Sequence, residues 1–347
     1  MGEATTVEGI DADAVSAWFV EHADHVQPPL SFELITGGHS NLTFRVGDAA
    51  GTRWVLRRPP LKQVLATAHD MGREARILTA LAPTPVPVPP VVGLETDDAV
   101  NGAPFYVMEF VDGRVVRNLQ EAEELTVEQR RRAGESIVDV LADIHAVDID
   151  AAGLGDFAKR EDYIARQLKR WYGQFEKSKT REVPVMEEVH QLLADRIPPQ
   201  GPATIVHGDY RLDNCMLAAD GSLAAVLDWE ICTLGDPLAD VGLLLVYWGD
   251  RDAEGGLSAL PTPTTADGFP SRAEVLDRYA ERSGRDLTHI GYYEAFGYWK
   301  LACIIEGVYA RYKGGAMGSR DASSFDFFGE QVIALAEVAR DAVERSA

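Results

Sequence analysis

The first third of the chain alternates short strand-like segments with amphipathic stretches. Strands are predicted where apolar and β-branched residues cluster between turn residues, over residues 32–35, 42–46, 54–58, 91–94 and 105–110. Asp11 can cap a helix whose stripe is Val15, Trp18 and Phe19, and the spacing predicts a second helix over Asp70 to Leu81. This pattern is typical of a small antiparallel sheet that carries helices.

Turn residues separate these strands. The turn Gly37-Gly38-His39-Ser40-Asn41 joins the first two strands as a hairpin with a glycine tip. The five prolines of Pro83 to Pro90 predict an extended surface connector in place of a helix.

From about Leu125 onward the pattern changes to helical periodicity. Apolar residues recur at the spacing of one buried helix face over residues 129–145, 163–175, 183–195, 272–282, 294–312 and 328–343. The predicted fold class is therefore α+β and two-lobed, with a small sheet lobe over residues 1–111 and a mainly helical lobe over residues 112–347. A hinge is predicted near residues 108–113.

One non-helical stretch interrupts the helical half and contains the candidate catalytic and metal-binding residues. Residues 215–227 read as a hairpin that turns at Asp220-Gly221, so Asn214 before it and Asp228 after it return to the same open end. A carboxylate and an amide oxygen brought together in this way are suited to magnesium. Asp209 lies five residues before Asn214, near the predicted metal but free to accept a proton from a substrate hydroxyl.

Composition narrows the possible partners. The 347 residues include 33 basic and 55 acidic ones, and the formal charge of −22 argues against nucleic acid or an anionic membrane as the main ligand. Three widely spaced cysteines with no CxxC pair suit a reducing compartment and disfavour structural zinc. The longest apolar run, Val241 to Trp248, is far shorter than the roughly 20 residues that span a bilayer, and a cytoplasmic protein is expected.

The stretch His207-Gly208-Asp209 through Asn214, followed by Asp228-Trp229-Glu230, resembles the catalytic loop of protein kinases. It is similar in particular to the aminoglycoside phosphotransferase and choline kinase family, which has a protein-kinase-like fold. Within that family it resembles the phosphotransferase-like domains found alongside acyl-CoA dehydrogenases. Matching motifs also include residues 37–43, Arg73-Glu74 and residues 235–240.

The resemblance implies a role for each matching residue. Asp209 is the implied catalytic base, and Asn214 and Asp228 are the implied ligands of magnesium bound to ATP. The implied nucleotide-binding residues are Gly37, Gly38, Ser40 and Asn41 over the phosphates, Arg57 with its partner Glu74, and Met108, Glu109, Phe110 and Val111 beside adenine. Alternation places Val55 and Arg57 on one face of their strand and Arg58 on the other, and either arginine remains a candidate for the phosphate contact.

These observations predict an ATP- and magnesium-dependent phosphotransferase that acts on a hydroxyl of a small molecule. The alternative is a nucleotide-binding regulatory module without transfer activity. A protein kinase is disfavoured because no Ala-Pro-Glu follows Asp228. The nucleotide-binding fold that uses a Walker-type phosphate loop has no support, because no such loop occurs in the sequence. The acceptor could be an aminoglycoside, an amino alcohol, a sugar or a hydroxyacyl thioester. The sequence does not distinguish ATP from GTP as the donor, and it does not indicate the oligomeric state.

Overall fold

The computed structural model describes residues 7–35, 41–61, 70–249, 262–314 and 325–346. The chain forms two compact units, one of Met1–Arg114 with Ala224–Ile231 and the other of Val115–Leu223 with Cys232–Ala347. Residues 224–231, predicted as part of the helical lobe, belong instead to the first unit. The Val226 N–H donates to the Pro87 carbonyl at 2.9 Å, and Asp228 pairs with Arg57, so contacts within the first unit hold this segment.

The first unit is a five-stranded antiparallel sheet with helices. Its strand order is β1-β2-β3-β5-β4, as predicted for a small antiparallel sheet. A short helix with an Asp97 cap lies between the last two strands of this sheet along the chain. The elements are α1 Ala12–His22, β1 Ser31–Leu34, β2 Leu42–Gly47, β3 Arg53–Arg58, α2 Met71–Leu81, β4 Val91–Glu95, α3 Asp98–Asn101 and β5 Phe105–Glu109.

The core of the first unit lies between the sheet and α1. Asp11 caps α1 through the Ala14 N–H, and Val15, Trp18 and Phe19 are buried as predicted. They pack with Trp54 and Leu56 of β3. The opposite face of β3 therefore carries Val55 and Arg57, as the alternation predicts.

The second unit contains the predicted helices, with short strands between them. The helix α10 begins four residues before the predicted start, and α8 contains most of the apolar run that begins at Val241. The elements are β6 Arg114–Val115, α4 Leu119–Glu123, α5 Val127–Ala146, α6 Tyr163–Ser178, α7 Pro184–Asp195, β7 Thr204–Val206, β8 Cys215–Leu217, β9 Leu223–Val226, β10 Thr233–Gly235, α8 Leu238–Tyr247, α9 Arg272–Ser283, α10 Ile290–Lys313 and α11 Asp326–Arg345.

The core of the second unit is built on α8 and α10, with α6, α7 and α11 packed around them. A Cβ added at Gly242 would lie 2.4 Å from the Tyr293 backbone, so only glycine permits this approach of α8 to α10. The strands β7 and β10 pair antiparallel and precede the candidate catalytic loop and α8 respectively. The close helix pair therefore presents two side chains, Asp240 and Lys300, to that loop.

The α+β fold class predicted from the sequence is confirmed. Among the helices that the structure describes, none combines the length and the apolar character needed to cross a membrane.

Candidate functional site

Arg57 of β3 lies between two carboxylates in the first unit. Its guanidinium is 2.8 Å from Glu74 Oε1 and 3.3 Å from Asp228 Oδ1. The side chains of Arg57 and Glu74 are only 12% and 2% exposed, whereas that of Asp228 is 39% exposed. The sequence predicted Glu74 as the partner of Arg57, and the structure brings them together. Asp228 thus offers a carboxylate whose position is held by a buried cation but which solvent still reaches.

Burial and the neighbouring charges shift the pKa values of Arg57 and Glu74 in opposite directions. Burial alone would lower the pKa of Arg57, but Glu74, Tyr106, Asp228 and Glu230 raise it above the ordinary value. Burial raises the pKa of Glu74, and the charge of Arg57 opposes that rise. The Arg57–Glu74 pair therefore stabilises both charges in a place where neither would be stable alone.

Arg58, the other candidate for the phosphate contact, serves a different purpose. Its guanidinium is buried on the opposite face of β3 and donates to the carbonyls of Gly9 and, at 3.0 Å, Asn101. These bonds tie α3 and the start of α1 to the sheet. Arg57 is the arginine that faces Glu74 and Asp228.

Replacing Arg57 with Met is expected to lower the free energy of unfolding by about 3–5 kcal/mol, because Glu74 keeps a buried charge without a partner. Combining Arg57→Met with Glu74→Leu should recover most of the lost free energy of unfolding. Urea unfolding of both variants measures the effect. The control is Arg53→Met, which breaks the exposed pair with Asp112 and should cost at most about 1 kcal/mol. Equal losses for Arg57→Met and Arg53→Met would contradict the prediction.

Of the predicted phosphate-covering residues, Gly37, Gly38 and Ser40 lie outside the described residues. Asn41 is buried at the start of β2, and its Nδ2 donates to Glu230 Oε2 at 3.2 Å. Glu230 follows Asp228 by two residues. Asn41 is therefore fixed to the same segment that carries Asp228.

The predicted hinge residues differ in which backbone groups they leave available. Met108 pairs within the sheet between β3 and β4. The N–H groups of Glu109 and Phe110 donate to the carbonyls of Pro90 and Arg53, at 2.9 and 3.3 Å. Within the described part of the chain, the Val111 N–H donates no hydrogen bond. Among the four residues predicted to lie beside adenine, 108–111, Val111 is therefore the one with an N–H free for a ligand.

Asp209 and Asn214 of the second unit are brought together, as the sequence predicted. Asn214 Nδ2 donates to the Asp209 carbonyl at 2.8 Å and to Asp209 Oδ2 at 2.9 Å. Arg211 Nε lies 3.4 Å from Asp209 Oδ1. Among the described residues, the Asn214 amide oxygen accepts no hydrogen bond, so this oxygen is left for a ligand. The Asp209 carboxylate keeps a solvent-exposed side.

Asp240 of α8 holds the backbone that precedes Asp209. It accepts hydrogen bonds from the His207 N–H at 2.6 Å and from the Gly208 N–H at 2.8 Å. His207 is fully buried, and its Nδ1 accepts from the Asp209 N–H at 3.2 Å. These contacts give Asp240 a supporting role beneath the loop and His207 a structural role within it.

A buried histidine supports Asp240 from the other side. His145 Nε2 lies 3.4 Å from Asp240 Oδ2, and His145 Nδ1 is 2.7 Å from the Tyr279 hydroxyl. Burial raises the pKa of Asp240, but His145, His207 and the hydrogen bond from the Gly208 N–H together outweigh burial and lower it overall. Burial lowers the pKa of His145, because it disfavours the charged imidazolium. Asp240 is therefore held as an anion with both oxygens engaged.

Sequence reasoning missed two residues here, His145 and Lys300. Lys300 Nζ donates to the Gly208 carbonyl at 2.6 Å. His145 falls at the end of the helical pattern over residues 129–145, and Lys300 stands in an aromatic stretch of α10 that carries no motif. The one available signal was a lysine at an inward position of an apolar helix.

Comparisons with known proteins agree with this geometry. Residues 31–287 match the family described as the phosphotransferase enzyme family. Mouse acyl-CoA dehydrogenase family member 10 is 34% identical over 329 residues, which cover 91% of this chain and 30% of that protein. This chain spans 30% to 42% of the length of the curated relatives it matches.

Solved structures show the same fold. The crystal structure of a candidate aminoglycoside phosphotransferase from Ralstonia eutropha JMP134 has a TM-score of 0.81 and 32% identity, covering 97% of this chain and 99% of that one. Plasmodium vivax ethanolamine kinase has a TM-score of 0.61 and 14% identity, covering 94% and 87% of the two chains. Two further similar phosphotransferases were solved with ADP or with ATP bound. The match over residues 31–287, with the predicted Asp209–Asn214 pair inside it, shows that this chain belongs to the phosphotransferase enzyme family.

Proposed function

We propose that this protein is an ATP- and magnesium-dependent phosphotransferase that moves the γ-phosphoryl group to a hydroxyl of a small molecule. The observation that carries the proposal is Asp209, whose carboxylate is oriented by Asn214 on a loop anchored to the buried Asp240. Phosphoryl transfer requires positioning and charge neutralisation more than covalent chemistry, and a fixed carboxylate suits it.

The donor atoms fit magnesium. Asp228 offers a carboxylate and Asn214 an amide oxygen, and both are hard ligands that this ion prefers. No cluster of three or more His, Cys, Asp or Glu occurs among the described residues, which suits an ion that keeps several waters and takes its other ligands from phosphates. When bound, magnesium would neutralise charge on the ATP phosphates.

The first unit supplies the groups for the rest of the nucleotide. The Val111 N–H is the proposed donor to the adenine ring, since the N–H groups of the two preceding residues, Glu109 and Phe110, already donate to backbone carbonyls. Arg57 is the proposed phosphate cation, fixed by Glu74. Residues Gly37, Gly38, Ser40 and Asn41 are proposed to cover the phosphates.

Asp209 performs the proton transfer in this proposal. The acceptor hydroxyl oxygen attacks the γ-phosphorus while the bond from that phosphorus to the bridging oxygen of ADP breaks. The hydroxyl proton passes to the Asp209 carboxylate, and ADP leaves with the electron pair of the broken bond. Asn214 keeps the carboxylate oriented during this step.

An ATP-consumption screen tests the proposal. It covers aminoglycosides, amino alcohols, sugars and hydroxyacyl thioesters, each with and without magnesium. We expect magnesium-dependent ADP release with at least one class, and labelled ATP in place of ATP identifies the phosphorylated product. Magnesium-dependent nucleotide binding with no acceptor in any class would instead favour a regulatory module, and labelling of protein in an extract would indicate a protein kinase.

A further inference from the structure

Lys300 is a buried cation next to the candidate catalytic loop. It lies in α10 between Trp299 and Leu301 and is only 6% exposed. Its ammonium stands 5.3 Å from the centre of the Trp171 ring and donates to the Gly208 carbonyl at 2.6 Å. This carbonyl belongs to the peptide bond that joins Gly208 to Asp209.

The position of this charge is costly for the fold. Burying an ammonium is unfavourable in general, and a Leu or Met would pack against Trp171 without that penalty. Within the described residues, Lys300 is hydrogen-bonded to a peptide carbonyl and not to a carboxylate. Burial lowers the pKa of Lys300, while the nearby charges of Asp209 and Asp240 act to raise it. The pKa is lowered overall, so these two anions offset only part of the effect of burying the ammonium.

The Gly208 backbone is the part of the loop that needs such support. Its φ of 86° lies in the left-handed region, which glycine adopts readily and other residues do not. Asp240 fixes the N–H groups of His207 and Gly208, and His207 Nδ1 accepts from the Asp209 N–H, so the Gly208 carbonyl is the group of the Gly208–Asp209 peptide that these three bonds leave unheld. Rotation of this peptide plane would turn the Asp209 side chain.

We propose that Lys300 is a positioning residue for Asp209, fixing the Gly208–Asp209 peptide plane through its hydrogen bond to the Gly208 carbonyl. Two helices then hold the backbone of Gly208. Asp240 of α8 accepts from the Gly208 N–H, and Lys300 of α10 donates to the Gly208 carbonyl. This role rests on the proposed function, because it assigns Lys300 to the transfer step that Asp209 carries out.

The test compares Lys300→Met with Lys300→Gln and with a matched control. Arg130→Met is the control, since Arg130 is also a buried cation of the second unit that donates to a backbone carbonyl, that of Ala122 at 3.0 Å. Lys300→Met should lower kcat by about 100-fold, the effect of misplacing a reacting group by about 1 Å, with the KM for ATP unchanged within about threefold. Lys300→Gln keeps a donor and should recover part of kcat, whereas Arg130→Met should leave kcat within about twofold.

Hydrogen exchange supplies a readout that needs no acceptor. In Lys300→Met, the amides of Gly208 and Asp209 should exchange at least about tenfold faster than in the wild type, and in Arg130→Met they should not. Equal kcat in Lys300→Met and Arg130→Met, or unchanged exchange at Gly208, would overturn the proposal. So would the failure of both Lys300 variants to fold while Arg130→Met folds, because Lys300 would then serve the fold alone. If the wild type transfers no phosphate, the proposed function fails, and hydrogen exchange still decides whether Lys300 holds the loop.

Discussion

Replacing Asp209 with Asn is expected to lower the rate of phosphoryl transfer by about three to four orders of magnitude, in the upper range for loss of a positioned acid or base. The amide has nearly the same shape, so Asn214 still has an oxygen to which it can donate. The substitution removes the negative charge and the capacity to take a proton. Affinity for magnesium and ATP should stay within a few-fold, because Asp209 is not a proposed metal ligand. Single-turnover kinetics and calorimetry measure the two effects separately.

Asp213 provides the control for this experiment. It lies in the same loop, its side chain is 31% exposed like that of Asp209, and it pairs with the same Arg211. Asp213→Asn should change transfer only a few-fold. A comparable loss in both variants would mean that the loop depends on its acidic charges in general, and an undiminished rate in Asp209→Asn would refute the role given to Asp209.

Much of the first unit could be predicted because its strands and helices follow from the pattern of neighbouring residues in the sequence. The alternation in β3 separates Trp54 and Leu56 from Arg57 with no knowledge of the rest of the chain, and the structure places these residues on opposite faces. Glu74 was then found as the partner of Arg57 from the family motif. The choice between Arg57 and Arg58 required the structure, since only the contacts with Gly9 and Asn101 show what Arg58 does.

The support of the catalytic loop is harder to predict because its contacts are distant in sequence. Lys300 follows Gly208 by 92 positions, and His145 precedes Asp240 by 95. Helical periodicity places both residues on inward faces, where the expected residue is apolar. A pattern of this kind shows that a position is buried but not what it contacts. The sequence also does not show that the Val111 N–H is available, because this depends on which carbonyls face the neighbouring amides.

Replacing Asp228 with Asn is expected to weaken magnesium-dependent ATP binding by at least about 100-fold, more than the loss of a group that only orients a metal ligand. The neutral amide retains an oxygen but not the charge that attracts the cation. Titration of ATP with magnesium and with a chelator present should show the loss only when magnesium is present. An equal loss in both titrations would mean that Asp228 acts on the nucleotide by way of Arg57 and not through a metal.

The backbone at Asp228 explains why Asn is the better substitution than Ala. Asp228 has a φ of 62°, in the left-handed region that Asp and Asn tolerate and that costs other residues about 1–2 kcal/mol. Asp228→Asn should therefore keep the unfolding temperature, whereas Asp228→Ala should lose both metal-dependent binding and stability. Asp162 has a similar φ of 51° in the second unit and gives a matched pair of variants. Asp162→Ala should show the loss of stability alone, which separates the backbone cost at Asp228 from the loss of its carboxylate.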